Sequence, residues 1–530
     1  MPRLNRPYVF LTLTAVAVLL ATIGHGQDRG QLRSLLYPYT LPAVERGVIL
    51  DVVRQAASDR PAASASPYSS DRVIVKFRDG MSTASRVRAM AAVSTTSSTP
   101  EQPSYANFDL VRIDPGEDAE AVAGALRQRP DVEYAQASYR VHKQMVPTDQ
   151  YYKQYQWNLR LIDLERAWDI QPAGGSAIVV AVIDSGVAYR DVVVRFNGAQ
   201  FTDDAGNVHA ALGPVDVPFS AATDLNATGR FVAPHDFVWN DDVPLDLDGH
   251  GTHVSGTIGQ LTNNNAFGTA GVAFNVKIMP VKVIAGDWDV IFGGAREPGG
   301  SDDGLARGIR YAADNGAKII NLSVGREGPA NCGVNRNQNG CAPAVEDAIR
   351  YAVGKGAFIS IAAGNDFETG NRTEVLSEIA SRVAGAVSVA AVDPAKNHAY
   401  YSSTGSWVEL AAPGGSDRGF GTEGLVLQQT YDQRFNVCIV EPRSCGVPPA
   451  FVAPRFDVIG FAFYEGTSMA APHVSGLAAM LMQQGVTDPA TIEAALEKFA
   501  TDLGDPGRDP TFGFGLVEAR ATLRGLGLAK

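Results

Sequence analysis

IVVAVIDSGV, residues 178–187, runs six apolar residues into Asp184 and then into a Ser-Gly turn. The run is short, β-branched and lacks polar alternation, which marks a strand buried on both faces. Four further runs share this character: VKIMPVKV (276–283), KIINL (318–322), FISIA (358–362) and VSVAAV (387–392). Between them lie helical stretches such as GLARGIRYAADNG from Gly304 and VEDAIRYAVGKG from Val345. Apolar strands alternating with helices predict an α/β fold, a parallel sheet covered by helices on both faces. A carboxylate closing such a strand is costly without a partner. Asp184 therefore needs one.

Two later segments supply candidates. DGHGTHVSGTIG (248–259) sets His250 among small residues at a helix start, and EGTSMAAPHVSG (465–476) does the same for Ser468. A serine hydroxyl becomes a nucleophile only beside a base, and the base needs an orienting acid. Gly466 permits a sharp approach to Ser468, and the helix after it is expected to stop at Gly485. SIAAGND places Asn365 after a small-residue strand end, where its amide could donate to an oxyanion. His253 and His473 read as structural neighbours, because the H-x-x-H spacing lacks the Glu and the i,i+4 geometry of a zinc helix. The G-x-S-x-G elbow of esterases is absent.

Asp, His and Ser in this order, in these contexts, resemble the subtilisin family of serine endopeptidases. The resemblance implies that Ser468 is the nucleophile, His250 the base, Asp184 its orienting acid and Asn365 an oxyanion donor beside the Ser468 amide. It implies that Ser323, Val324 and Gly325 form an edge strand for extended peptide substrates. With Ala362, Ala363 and Gly364 this strand would wall the primary specificity pocket, and Asp366 lies near it. NNNAFGTAGVA resembles the family's calcium loop. There Asn265 would give its side chain, Asn263, Phe267 and Thr269 their carbonyls, and Asp149 and Asp191 carboxylates to a structural Ca2+. No catalytic cofactor is implied. A catalytically silent binding protein on the same fold is the rival reading, and the complete set of catalytic residues argues against it.

A smaller unit precedes this region. DRVIVKF (71–77), FDLVRI (108–113) and VEYAQASYRV (132–141) read as strands, with helices over TASRVRAMAAV (83–93) and AEAVAGALRQ (119–128). The β-α-β-α-β order predicts a ferredoxin-like α+β domain. Its VIVKF and DVEYAQ segments resemble those of the subtilisin propeptide. Residues 71–145 are thus expected to be an intramolecular inhibitor and 146–530 the peptidase, with self-cleavage between His142 and Asp149.

At the N-terminus, Arg3 and Arg6 precede an apolar run from Tyr8 to Ile23 and then Gly24 and Gly26. This is a signal-peptide layout over residues 1–26, too short for the ~20 residues of a membrane span. Residues 27–70 read as a polar linker. Secretion, no stable membrane anchor and a monomer are the expectations. A net charge of −12 argues against nucleic acid as a partner. The four cysteines, Cys332, Cys341, Cys438 and Cys445, lack zinc spacing and are expected to form two local disulfides. Three pairings are open, and neighbour pairing is preferred. Three long stretches read as insertions: one between Asp184 and His250, one over 285–303, and one between Pro413 and Ser468.

Overall fold

A computed structural model describes residues 33–34, 68–139, 145–198, 200–202, 208–209, 214–264, 266–329, 332–432 and 454–525. The signal-peptide region, residues 142–144 of the stretch between His142 and Asp149 where the cut is expected, Asn265, Cys438 and Cys445 lie outside the described residues.

The N-terminal unit follows the order β1 (Tyr68–Phe77), α1 (Thr83–Ala91), β2 (Asp109–Arg112), α2 (Ala119–Arg127) and β3 (Val132–Tyr139). β1 is central, and both neighbours pair with it antiparallel. Its own core holds Val73, Val75, Met90, Val111, Ala123, Leu126 and Ala137. Both helices begin on side-chain caps: Ser82 accepts from the amide of Ser85, and Asp118 from that of Glu120.

The larger unit is built on seven parallel strands. They are β4 (Val179–Asp184), β5 (His235–Asp236), β6 (Lys277–Lys282), β7 (Ile319–Leu322), β8 (Phe358–Ala362), β9 (Ala386–Val392) and β10 (Leu410–Pro413). Their spatial order is β5-β6-β4-β7-β8-β9-β10. Alternate residues face two separate cores. Ala181, Ile183, Met279, Val281, Ile320 and Ile359 meet helices α4 (Asp302–Asp314), α5 (Pro343–Gly354) and α6 (Val375–Ala380) on one face. Val180, Val182, Ile278, Ile319, Phe358 and Val389 meet α3 (His250–Gly259), α7 (Thr467–Gln483) and α8 (Pro489–Lys498) on the other. Burial on both faces is why these strands read as unbroken apolar runs.

An antiparallel hairpin, β11 (Val426–Tyr431) with β12 (Ile459–Tyr464), covers α3, and Arg33–Ser34 pairs with Phe463 and Ala462 at its edge. Cys332 and Cys341 form a disulfide. No helix of the described residues is long and apolar enough to cross a membrane.

One charge sits where sequence pattern gives no warning. Lys282, the last residue of β6, is fully buried, and its Nζ donates to Asp289 and, at 2.9 Å, to the carbonyl of Leu245. Asp289 also accepts from Trp239 Nε1 at 2.6 Å and from the Gly286 amide at 2.8 Å. Removing one partner of such a pair leaves an uncompensated buried charge. Lys282→Met is expected to cost about 3–5 kcal/mol of stability, read as a lower midpoint in urea unfolding. Replacing Asp289 by Leu in the same chain should recover part of that loss.

Candidate active site

The site forms where three strand ends meet two helix starts. Asp184 is the last residue of β4 and is buried. His250 is the first residue of α3, and its Nδ1 lies 2.7 Å from Asp184 Oδ1. Helix and strand approach so closely that a Cβ on Gly251 would collide with the Gly186 carbonyl and fall 3.1 Å from Asp184 Cβ. Only glycine fits there, which explains the H-G-T-H pattern.

The ring of His250 is partly buried, and burial alone would lower its pKa. The charge and hydrogen bond of Asp184 outweigh that, Asp248 and Asp246 add to them, and the pKa rises to about 9. His253 and His473 sit in different surroundings. His253 Nε2 faces the carbonyls of Val426 and Ala462, its ring stacks on Tyr464 at 4.1 Å, and burial takes its pKa down to about 3. His473 Nδ1 donates to Met469 O while Asn158 Nδ2 donates to its Nε2, and burial lowers it to about 4. Both are neutral pins.

Ser468 occupies the first turn of α7, after Gly466 at φ 150°. Its Oγ donates to the Ser323 carbonyl at 3.0 Å. In return Ser323 Oγ donates to the Ser468 carbonyl at 2.8 Å. That carbonyl is available because its helical donor would be residue 472, which is proline and has no N–H. Ser323 Oγ also accepts from Asn321 Nδ2, and Asn321 Oδ1 from Ser475 Oγ. Asn321 is itself fully buried.

Asn365 follows β8. Its Oδ1 accepts from Thr467 N at 3.0 Å and Thr467 Oγ1 at 2.9 Å. The oxygen being taken, Nδ2 is turned outward beside Gly466. First-turn helix amides, Ser468 N among them, lack intrahelical acceptors. Two donors thus flank the position a developing oxyanion would occupy. Ser323, Val324, Gly325, Ala362 and Gly364 line one cavity of about 310 Å³ together with Asn365, Asp366 and Ser468. Ala363 is buried behind it and donates its amide to Val389 O. The cavity also contains Arg326, Glu327 and Glu374, which no sequence motif marks.

The chain is matched by known proteins. The model of the subtilase family, Peptidase_S8, matches residues 175–515, and the fervidolysin N-terminal prodomain matches residues 54–138. The chain belongs to the subtilase family. It is a subtilisin-like serine peptidase carrying a prodomain. The thermophilic serine proteinase of Bacillus sp. (strain AK1) is 30% identical over 440 residues, covering 83% of this chain and 84% of that one. Thermitase of Thermoactinomyces vulgaris is 29% identical over 365 residues, covering 68% and 94%. The solved structure of fervidolysin from Fervidobacterium pennivorans aligns at 23% identity with a TM-score of 0.47, over 86% of this chain and 61% of that one.

The expected calcium loop of this subtilase is tied down by acids. Asp149 accepts from the amide of Asn263, while Thr148 N donates to Asn263 Oδ1. The second acid reaching the loop is Asp224, where Asp191 was expected. Asp224 accepts from Asn264 Nδ2 at 2.6 Å and Thr269 N at 2.9 Å, and a Cβ on Gly268 would collide with it. Asp191 Oδ1 instead accepts from the Ala221 amide at 2.9 Å. The segment between 191 and 224 carries a hairpin, Val192–Asn197 with Pro214–Phe219, that displaces the acid along the sequence. Phe267 packs on Phe461, and Thr269 Oγ1 donates to Gln428. Two buried carboxylates facing a loop whose Asn264 Oδ1 has no partner form an oxygen-rich set that suits a hard cation.

A histidine acting as general base must be neutral, so if peptide hydrolysis runs through His250, kcat/KM should fall as pH drops through its raised pKa, giving an alkaline-shifted acid limb. Asp248→Asn keeps an acceptor for the His250 amide but removes a charge that raises the imidazole. Its pH–rate profile should show the acid limb moved to lower pH.

Proposed function

We propose that this subtilase is made as a secreted zymogen: residues 1–26 direct export, 71–145 fold as an intramolecular inhibitor, and 146–530 act as an endopeptidase on proteins and peptides. The observation that carries the reading is the 2.7 Å bond from His250 Nδ1 to the buried Asp184, in a chain whose Ser468 lies in the first turn of a separate helix and lines the cavity next to Asn365. The prodomain match over 54–138 supports the zymogen, and the basic and then apolar N-terminus supports export.

In this mechanism a substrate pairs with the edge Ser323–Gly325, and Ser468 Oγ turns from the Ser323 carbonyl toward His250. As Oγ attacks the scissile carbonyl, His250 takes its proton, and Asp184 holds the imidazole and balances its charge. The oxyanion is met by Ser468 N and Asn365 Nδ2. Collapse breaks the C–N bond, His250 gives the proton to the leaving amine, and an acyl-enzyme remains. Water then repeats the sequence and releases the acid. Self-cleavage between His142 and Asp149 would be the first turnover, and the mature enzyme would act as a monomer.

A Ca2+ ion, if bound, would be held by Asp149, Asp224 and the 263–269 loop and would have a structural role. It would cross-link the mature N-terminus to the loop that follows α3.

Ser468→Ala should leave the prodomain attached, seen by intact-mass spectrometry of secreted protein, and should lower kcat roughly a millionfold. A Ser468→Ala chain maturing at the wild-type rate would refute self-processing. Chelation by EDTA should lower the melting temperature, with recovery on added Ca2+ but not Mg2+. In Asp224→Asn the chelator should have a much smaller effect.

A further inference from the structure

The cavity beside Ser468 contains a buried acid. Glu374 lines it and is 4% exposed. Its Oε1 accepts from the amides of Arg326 at 2.8 Å and Leu376 at 3.2 Å. Among the described residues no cation forms an ion pair with it. The cation closest to it in the cavity wall, Arg326, is engaged elsewhere. Its Nε and Nη2 grip Asp302 at 2.9 and 2.8 Å, and its Nη1 donates to the Gly340 carbonyl. Arg372, outside the cavity, pairs with Glu327.

Room for this acid depends on its neighbours. A Cβ on Gly325 would lie 2.5 Å from the Glu374 carboxyl carbon, so any side chain at 325 would expel it. The acid is also fixed from behind. Thr373–Glu374 pairs antiparallel with Glu327–Gly328, and Gly333, in the loop closed by the Cys332–Cys341 disulfide, donates to Glu378 of α6. A buried carboxylate without a counter-charge is unfavourable. An apolar side chain entering the cavity would desolvate it further. An ammonium or guanidinium would give it a charge-assisted bond.

We infer that the primary pocket takes a lysine or arginine side chain from the residue before the cut, with the Glu374 carboxylate as its counter-charge. This rests on the peptidase reading above and specifies its substrate class. Burial pushes the Glu374 carboxyl up to about 8; the amides of Arg326 and Leu376 act the other way, Asp366 adds to the rise and the Arg326 charge opposes it. An arriving cation would restore the ionised form, so the preference should sharpen as pH rises toward 8.

Accepting two amides is a task glutamine performs equally well, so Glu374→Gln separates the charge from the capping role. The test compares kcat/KM on a peptide series differing only in the residue before the cut: Lys, Arg, Leu, Phe and Ala. Wild type should favour the basic pair by at least about tenfold, and Glu374→Gln should lower the basic-to-apolar ratio by at least about tenfold. Being a ratio within one preparation, it is insensitive to loss of folded variant. A wild type that cuts after Leu or Phe as fast as after Lys would overturn the inference and leave the peptidase standing. So would a Glu374→Gln variant that keeps the wild-type ratio. A wild type inert toward every peptide and unlabelled by a fluorophosphonate would overturn both.

Discussion

Asp246 fixes the geometry on which the cleft depends. Its carboxylate is completely buried, and its Oδ1 accepts from Ser185 Oγ, Asp248 N and Gly249 N, while its Oδ2 accepts from Thr252 N and Thr252 Oγ1. Ser185 follows Asp184 directly, and Thr252 sits in the first turn of the helix that His250 opens. One side chain therefore sets strand end and helix start at a fixed separation. Thr252 Oγ1 extends the network by accepting from Ala188 N, and Ser185 Oγ by accepting from Gly251 N. A carboxylate at a helix N-terminus is itself favoured by the local dipole. The short His250–Asp184 bond follows from this scaffold, since neither partner has freedom to withdraw.

The sheet order explains why these groups meet at all. The chain leaves the strand ending in Asp184, passes through the His250 helix to Lys277–Lys282 on one side, and later returns through Ile319–Leu322 on the other. The crossovers diverge between those two neighbours, which opens a crevice at the carboxyl ends of the strands. Asp184, Ser323 and the Ala362–Asn365 segment all lie at such ends. Ser468 comes from the longest helix of the described residues, which packs across the sheet beneath them.

How much of this is legible in the sequence depends on how local each constraint is. The parallel sheet can be read because two-sided burial leaves a continuous apolar run. The candidate triad residues can be read because the backbone beside them demands glycine, at Gly251 for close approach and at Gly466 for a φ of 150°, and those glycines appear in the motifs. The loop's second acid cannot, because Asp224 reaches Asn264 only after the chain has made the Val192–Phe219 hairpin, whose length no local pattern reports. Glu374 is hidden for a different reason. Its burial is set by Gly325, 49 positions earlier in the sequence, and T-E-V before a helix reads as an ordinary cap.

Pro472 shows how a rule of local structure yields to the site. Proline inside a helix removes a backbone bond and normally weakens it. Here the carbonyl left without a donor is that of Ser468, and Ser323 Oγ donates to it at 2.8 Å. The lost helical bond is replaced by one that ties the Ser323–Gly325 segment to the Ser468 helix. Asn321 then holds Ser323, and Ser475, further along the same helix, holds Asn321. The segment that follows Ile319–Leu322 is thereby anchored to the helix at two points. A displacement of Ser323–Gly325 would have to break both, so the separation of this segment from Ser468 is set by these hydrogen bonds and not by the exposed loops around the cleft.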